Sequence, residues 1–162
     1  MPEFIAVPVS DPRASALLTE YFEDRALTFP PEQGVYVPAF PAAAQFIAPQ
    51  GVFLLLHDGG PAIGCGGIRR IDDSPTGRVR YEVKHLWLQP AARGRGWGRV
   101  LLAELERRAV LFGAHELVLD TNASQEAAAG LYRSSGYASV AAYNSNPNAT
   151  HWYRKQLAPG PS

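Results

Sequence analysis

Cysteine is almost absent from this 162-residue chain. Cys65 stands alone, which excludes an internal disulfide and fits a reducing compartment. Long apolar runs are also missing. The longest, Val52 to Leu56, is far too short to span a bilayer, so no membrane partner is expected. No basic segment precedes an apolar stretch near Met1, so no signal peptide is read and a cytoplasmic setting is expected. Net charge is zero, with 15 Lys and Arg against 15 Asp and Glu, which gives no reason to expect nucleic acid. No pair of His or Cys has metal-ligand spacing, so no metal is expected. A nucleophile elbow of the G-x-S-x-G kind and a G-x-x-x-x-G-K-[ST] loop are both lacking, as is any internal repeat.

What is present describes a globular chain. The hydrophobic fraction is 46% and the charged fraction 19%, enough for one core in one domain over residues 1–157, with a frayed tail at 158–162. The charge is unevenly placed. Residues 1–77 hold four basic and nine acidic residues, and residues 78–162 hold eleven basic and six acidic, so the second half suits an anionic ligand.

Periodicity predicts a strand at 4–9 and a helix over 11–25, with Asp11 as N-cap and Pro12 in the first turn. Five prolines between Pro30 and Pro49 predict a loop or a broken helix there. Strands follow at 52–57 and 62–71, joined by Asp58-Gly59-Gly60-Pro61, then a long strand at 78–88. A helix over 96–112, a strand at 117–120, a helix over 124–134 and strands near 138–142 and 152–157 complete the chain. The pattern is that of an α/β class with a mixed sheet.

The most informative stretch lies between the long strand and the following helix. It reads Gln89-Pro90-Ala91-Ala92-Arg93-Gly94-Arg95-Gly96-Trp97-Gly98-Arg99. Glycines let backbone approach a ligand, and N–H groups at a helix N-terminus bind phosphate oxygens. Arg93, Arg95 and Arg99 add positive charge. Gly94 and Gly96 begin a dinucleotide fingerprint, but Arg99 stands where its third glycine belongs. What remains is Arg93-x-x-Gly96-x-Gly98.

That motif, following Leu-x-Pro, resembles the acyl-CoA-binding motif of the GCN5-related N-acetyltransferase (GNAT) family. A second block, Leu117-Val118-Leu119-Asp120-Thr121 and then Gly130-Leu131-Tyr132-Arg133-Ser134-Ser135-Gly136-Tyr137, resembles the family's next strand and helix end. The likeness covers about residues 78–157, in the manner of small bacterial members. It implies a central mixed, twisted sheet of about six to seven strands, helices on both faces, and a splay between two parallel central strands. It implies acetyl-CoA as cofactor and an N-acetyltransferase as the activity. By position, Leu86, Trp87 and Leu88 would lie along the pantetheine, and Arg93, Gly94, Arg95, Gly96, Trp97, Gly98 and Arg99 would hold the pyrophosphate. Gln125 stands where many members have an asparagine against the cofactor. Asn122, three residues earlier, is either a second cofactor contact or a helix cap.

The resemblance also assigns Tyr132 as general acid, against the alternative of a packed helix tyrosine. Strict alternation places Glu82 on a face with Arg80, Lys84, Leu86 and Leu88, which makes it the candidate base. A carboxylate in a central strand is either at work or ion-paired, here with Lys84 or Arg80. His85 falls on the opposite face and reads as a packed histidine, and His151 is a secondary candidate base. Tyr21, Tyr36, Asn144 and Trp152 are candidates for the acceptor pocket. The acceptor expected is a primary amine of a small molecule. A protein amine, and a non-catalytic acyl-CoA-binding module, remain open. A homodimer is the expected assembly if any, since family members often pair.

Overall fold

The computed structural model describes residues 2–157; the tail expected at 158–162 lies outside them. Seven strands form one sheet in the order β1-β2-β3-β4-β5-β7-β6. They are β1 (Glu3–Ala6), β2 (Gly51–His57), β3 (Ala62–Arg70), β4 (Arg80–Leu88), β5 (Glu116–Thr121), β6 (Ala138–Val140) and β7 (His151–Gln156). Helices α1 (Pro12–Thr28), α2 (Trp97–Leu111) and α3 (Glu126–Ser134) flank it. The fold is mixed α/β, as expected.

The helix starts follow local chemistry. The Asp11 side chain accepts the Arg13 N–H at 2.8 Å, and Pro12 sits where a missing N–H costs nothing. The Pro-rich span between α1 and β2 forms only two short 3-10 turns, Pro31–Gln33 and Ala43–Phe46.

Both faces of the sheet are covered, which explains the unbroken apolar run of β2. Val52, Leu54 and Leu56 point to α2, joining Leu101, Leu102, Leu105 and Ala109. Phe53 and Leu55 point to α1, joining Ala14, Leu17, Leu18 and Phe22. Each fully buried Leu or Phe contributes about 1.5–3 kcal/mol, so the two clusters clamp the sheet between helices.

One departure from regular pairing shapes everything that follows. β3 and β4 lose register between Cys65 and Gly67, so Gly66 faces two residues, His85 and Leu86. His85 has φ +57°, the only positive value outside glycine among the described residues. This is a β-bulge, and it reverses the expected alternation. Tyr81 and Val83 lie on the α2 side, whereas Trp87 joins the α1 side. His85 goes with it, packing edge-on against Tyr21 and Phe22 of α1. The expectation that His85 opposes Glu82 is thereby corrected.

Candidate active site

β4 and β5 are parallel but pair only from Arg80–Glu116 to Glu82–Val118. Beyond that point β4 stays with β3 as far as Leu88–Gly64, and β5 stays with β7 as far as Thr121–His151. The sheet therefore opens between two parallel central strands. The bulge bends β4 at the position where pairing has ceased.

At the far end of β4 the glycine-rich turn leads into α2. Gly94 and Gly96 have φ +80° and +82°, a left-handed backbone that glycine adopts without strain. Gly96 is the N-cap and supplies no side-chain bond. The first helical hydrogen bond runs from Val100 N–H to Gly96 C=O, so the N–H groups of Trp97, Gly98 and Arg99 have no intrahelical acceptor. A Cβ on Gly98 would stand 3.3 Å from Leu131 and 3.6 Å from Leu88, so glycine keeps this passage open.

The arginines of the turn divide their work. Arg93 donates from Nε to the Leu88 carbonyl at 3.1 Å and lies 4.7 Å from the Trp87 ring centroid. Arg99 reaches Ser134 Oγ at 2.8 Å, tying α2 to α3. Arg95 is exposed. Trp87 itself donates to Glu20 of α1 at 3.3 Å.

A cavity of about 380 Å³ lies across the opening, lined by residues of both lips: Lys84, His85 and Leu86 of β4, and Asp120 and Thr121 of β5. Of the expected pocket residues, Tyr21, Tyr36 and Asn144 line it, as does the candidate acid Tyr132. Trp152 does not line it. Its indole N–H donates to Asn144 Oδ1 at 2.9 Å, so Trp152 stands behind the pocket wall and orients Asn144. Asn122 and Gln125 line the cavity, but their amides are engaged within the protein. Asn122 donates to Gln33 Oε1 at 2.8 Å and to the Asn148 carbonyl at 3.0 Å. Gln125 donates to Thr28 at 2.9 Å. Asn122 does not cap α3, which begins at Glu126; its Oδ1 accepts Ser124 N–H in a local turn.

Glu82 is 1% exposed and sits at the closed end of the opening, outside the cavity lining. Its Oε1 accepts two bonds from Arg69, at 2.9 and 3.1 Å. Its Oε2 accepts the Tyr143 hydroxyl at 2.5 Å and the Asn144 amide at 3.4 Å. Lys84 lies 3.7 Å from it and 3.2 Å from Asp120. The ion pair weighed for Glu82 with Lys84 is present. The closer partner, Arg69, comes from β3 and is invisible until register is known, because Arg69 faces Glu82 across the sheet.

Electrostatics sort these groups. Burial alone would raise the Asp120 carboxyl, but the Lys84 ammonium and the Asn144 amide outweigh it and hold it below the usual range. Burial pushes the Tyr132 phenol up, so it stays protonated at neutral pH. Burial, with the Lys84, Arg69 and Arg25 cations, drives His85 down to about 3. Two residues lining the cavity, His85 and Thr121, carry buried polar atoms, Nδ1 and Oγ1, without a protein partner, as does Trp97 through Nε1 at the start of α2. Sequence reasoning missed Arg25, Arg69, Asp120 and Thr121; only Asp120, a carboxylate closing an apolar strand, carried a readable signal. His151, the secondary base candidate, is exposed, with its Nδ1 against Thr150 at 2.9 Å.

These features fit an acyl-CoA. An uncapped, glycine-entered helix N-terminus suits a pyrophosphate, and an open strand pair suits an extended amide-bearing arm. Comparison with known proteins agrees. Residues 15–137 match the family model described as Acetyltransferase (GNAT) family, and the chain belongs to that family.

Among curated relatives, an IAA acetyltransferase of Azospirillum brasilense is 37% identical over 86 residues, covering 53% of this chain and 54% of that protein. The N-alpha-acetyltransferase RimI of Mycobacterium tuberculosis is 33% identical over 99 residues, 59% of this chain and 58% of its own length. The chain thus spans little more than half of these relatives. A GNAT acetyltransferase structure from Staphylococcus aureus superposes with a TM-score of 0.75 at 14% identity, covering 98% of this chain and 100% of that one. At that identity the likeness is one of fold.

Proposed function

We propose that this chain is an acetyl-CoA-dependent N-acetyltransferase that acetylates a primary amine of a small molecule by direct attack. The observation that carries the reading is the opening between β4 and β5, whose lips line a cavity on the α1 side and whose far end meets the uncapped N-terminus of α2. Acetyl-CoA supplies the acetyl group and departs as the free thiol.

The chain's own residues would do the rest. The turn from Arg93 to Arg99 holds the pyrophosphate through backbone N–H groups and arginine charge. Leu86, Trp87 and Leu88 border the opening. Tyr132 delivers its phenolic proton to the departing sulfur as the C–S bond breaks and the N–C bond forms. Tyr132 borders the cavity, and burial keeps its phenol protonated. Glu82 receives the proton that the amine loses. As held here, its oxygens face Arg69, Tyr143 and Asn144, so that transfer runs through a water and opens the longest contact, the 3.4 Å bond from Asn144.

A small acceptor is favoured over a peptide by how the cavity is bordered. Asn148 makes two bonds to the Val37 backbone, donating to its carbonyl and accepting its N–H at 3.0 Å. Asn122 holds Gln33 in the same span. The segment between α1 and β2 is thus clasped to the 143–150 loop rather than left as an open groove. The test is thiol release from acetyl-CoA across an amine panel that includes peptides. Release with small amines and not with peptides is the expected result. No release from protein that binds acetyl-CoA would refute the enzyme reading and favour a binding module.

A further inference from the structure

The cavity is lined by three cations, Arg25, Arg69 and Lys84, and by one carboxylate, Asp120. Two of the cations have partners. Arg69 pairs with Glu82 at 2.9 Å, and Lys84 lies 3.2 Å from Asp120. Arg25, on α1, has no carboxylate within 4 Å among the described residues. It is half-buried, 5.2 Å from the Tyr21 ring centroid, and its titratable neighbours Tyr21, Tyr132 and Tyr36 are phenols. Glu82 and Asp120 thus balance Arg69 and Lys84, and one positive charge is left over.

A cation partly removed from water without a counter-ion is unfavourable unless an anion arrives. A second observation points to a ligand at the same place. His85 and Thr121 are 8% and 4% exposed, line the cavity, and carry polar atoms with no protein partner. Much of the wall is aromatic, from Tyr21, Phe22, Phe29, Tyr36 and Phe40.

We propose that the acceptor is an α-amino-acid-like molecule with an apolar or aromatic side chain, its carboxylate held by Arg25. This rests on the transferase reading above. The charge balance favours it over a simple amine. An amine attacks only when neutral, and an amino acid with a neutral amine carries a net charge of −1, which matches the uncompensated Arg25. A simple amine in its reactive form carries no charge and leaves Arg25 unpaired. The guanidinium fork also donates two parallel bonds to a carboxylate, which orients the adjacent amine.

The experiment is calorimetric titration, with coenzyme A present, of leucine, methionine, phenylalanine and tryptophan, each beside its carboxamide. At least one free acid should bind wild-type protein roughly 10–100-fold more tightly than its amide, the ratio set by a charge-assisted bond. Arg25→Met should bring that ratio close to one, and Arg25→Lys should restore part of it. Four acids that bind no better than their amides would overturn the proposal. So would an Arg25→Met protein that keeps the wild-type ratio. The transferase reading fails separately: acid preference without acetyl transfer would sink the reaction and leave carboxylate recognition standing, and transfer without acid preference would do the reverse.

Discussion

Replacing His85 by Asn should remove most of an acid-sensitive slope in stability. In the folded protein His85 is 8% exposed and its pKa is depressed to about 3, first by burial and then by the Lys84, Arg69 and Arg25 cations. In the unfolded chain it titrates near the ordinary value of about 6.5. Between those two values the unfolded state binds a proton that the folded state does not. Stability from this group is therefore complete above about pH 6.5 and is lost as pH falls towards 3. Each pH unit in that window is about 1.4 kcal/mol, so between pH 7 and pH 5 the loss is about 2 kcal/mol. Asn is chosen because it tolerates the positive φ at this position and does not titrate. Its smaller volume adds a penalty that does not vary with pH. Urea unfolding of both proteins at several pH values gives the comparison. The difference between them should shrink by about 2 kcal/mol from pH 7 to pH 5. Parallel curves would show that His85 is not held neutral, and the account of the buried bulge would be wrong.

Other expectations concern the network and the turn. Glu82→Gln leaves Arg69 facing a neutral amide and should cost about 3 kcal/mol, the low end for a broken buried pair because Arg69 keeps 29% of its side-chain exposure. If Glu82 also takes the amine's proton, the same variant loses the acid limb of the rate profile, which a purely structural carboxylate would leave in place. Tyr132→Phe should slow turnover without abolishing it and leave the acceptor KM little changed; complete loss would give the phenol a larger part than protonating sulfur. Gly96→Glu forces a side chain into φ +82° and puts negative charge at the α2 N-terminus, so acetyl-CoA binding measured by calorimetry should disappear. Asn148→Ala removes two bonds to Val37 and should cost about 1–2 kcal/mol; limited proteolysis should then cut first within residues 34–42, and an unchanged cleavage pattern would deny the clasp.

The parts of the fold legible in the sequence were those written in local chemistry. Asp11 before Pro12 marks a helix start because both residues act within one turn. The glycine-rich turn is legible because Gly94 and Gly96 answer a backbone need that no neighbour has to supply. The α1-to-β2 span was legible only as irregular, since five prolines say what cannot form and not where the chain goes. Much of the pocket was hidden for a different reason. Arg69 meets Glu82 through strand register, Asn148 meets Val37 across 111 residues, and Arg25 is notable only for the carboxylates that are not beside it. These relations belong to tertiary structure, and no local pattern encodes them.

The bulge at His85 joins the reading that failed to the site itself. A strand that alternates strictly would send His85 and Trp87 to the α2 core with Tyr81 and Val83. One extra residue in β4 between Lys84 and Trp87, opposite Gly66, reverses the order, and Trp87 crosses to the α1 side, where it meets Glu20. The same extra residue gives β4 its bend where its pairing with β5 has ended, and it brings His85 to the cavity wall. A regular β4 would keep its alternation and could continue pairing with β5 past Glu82, which would close the gap that an extended ligand needs. Periodicity therefore misplaces His85 at the position where the sheet departs from regular pairing to make room for a ligand.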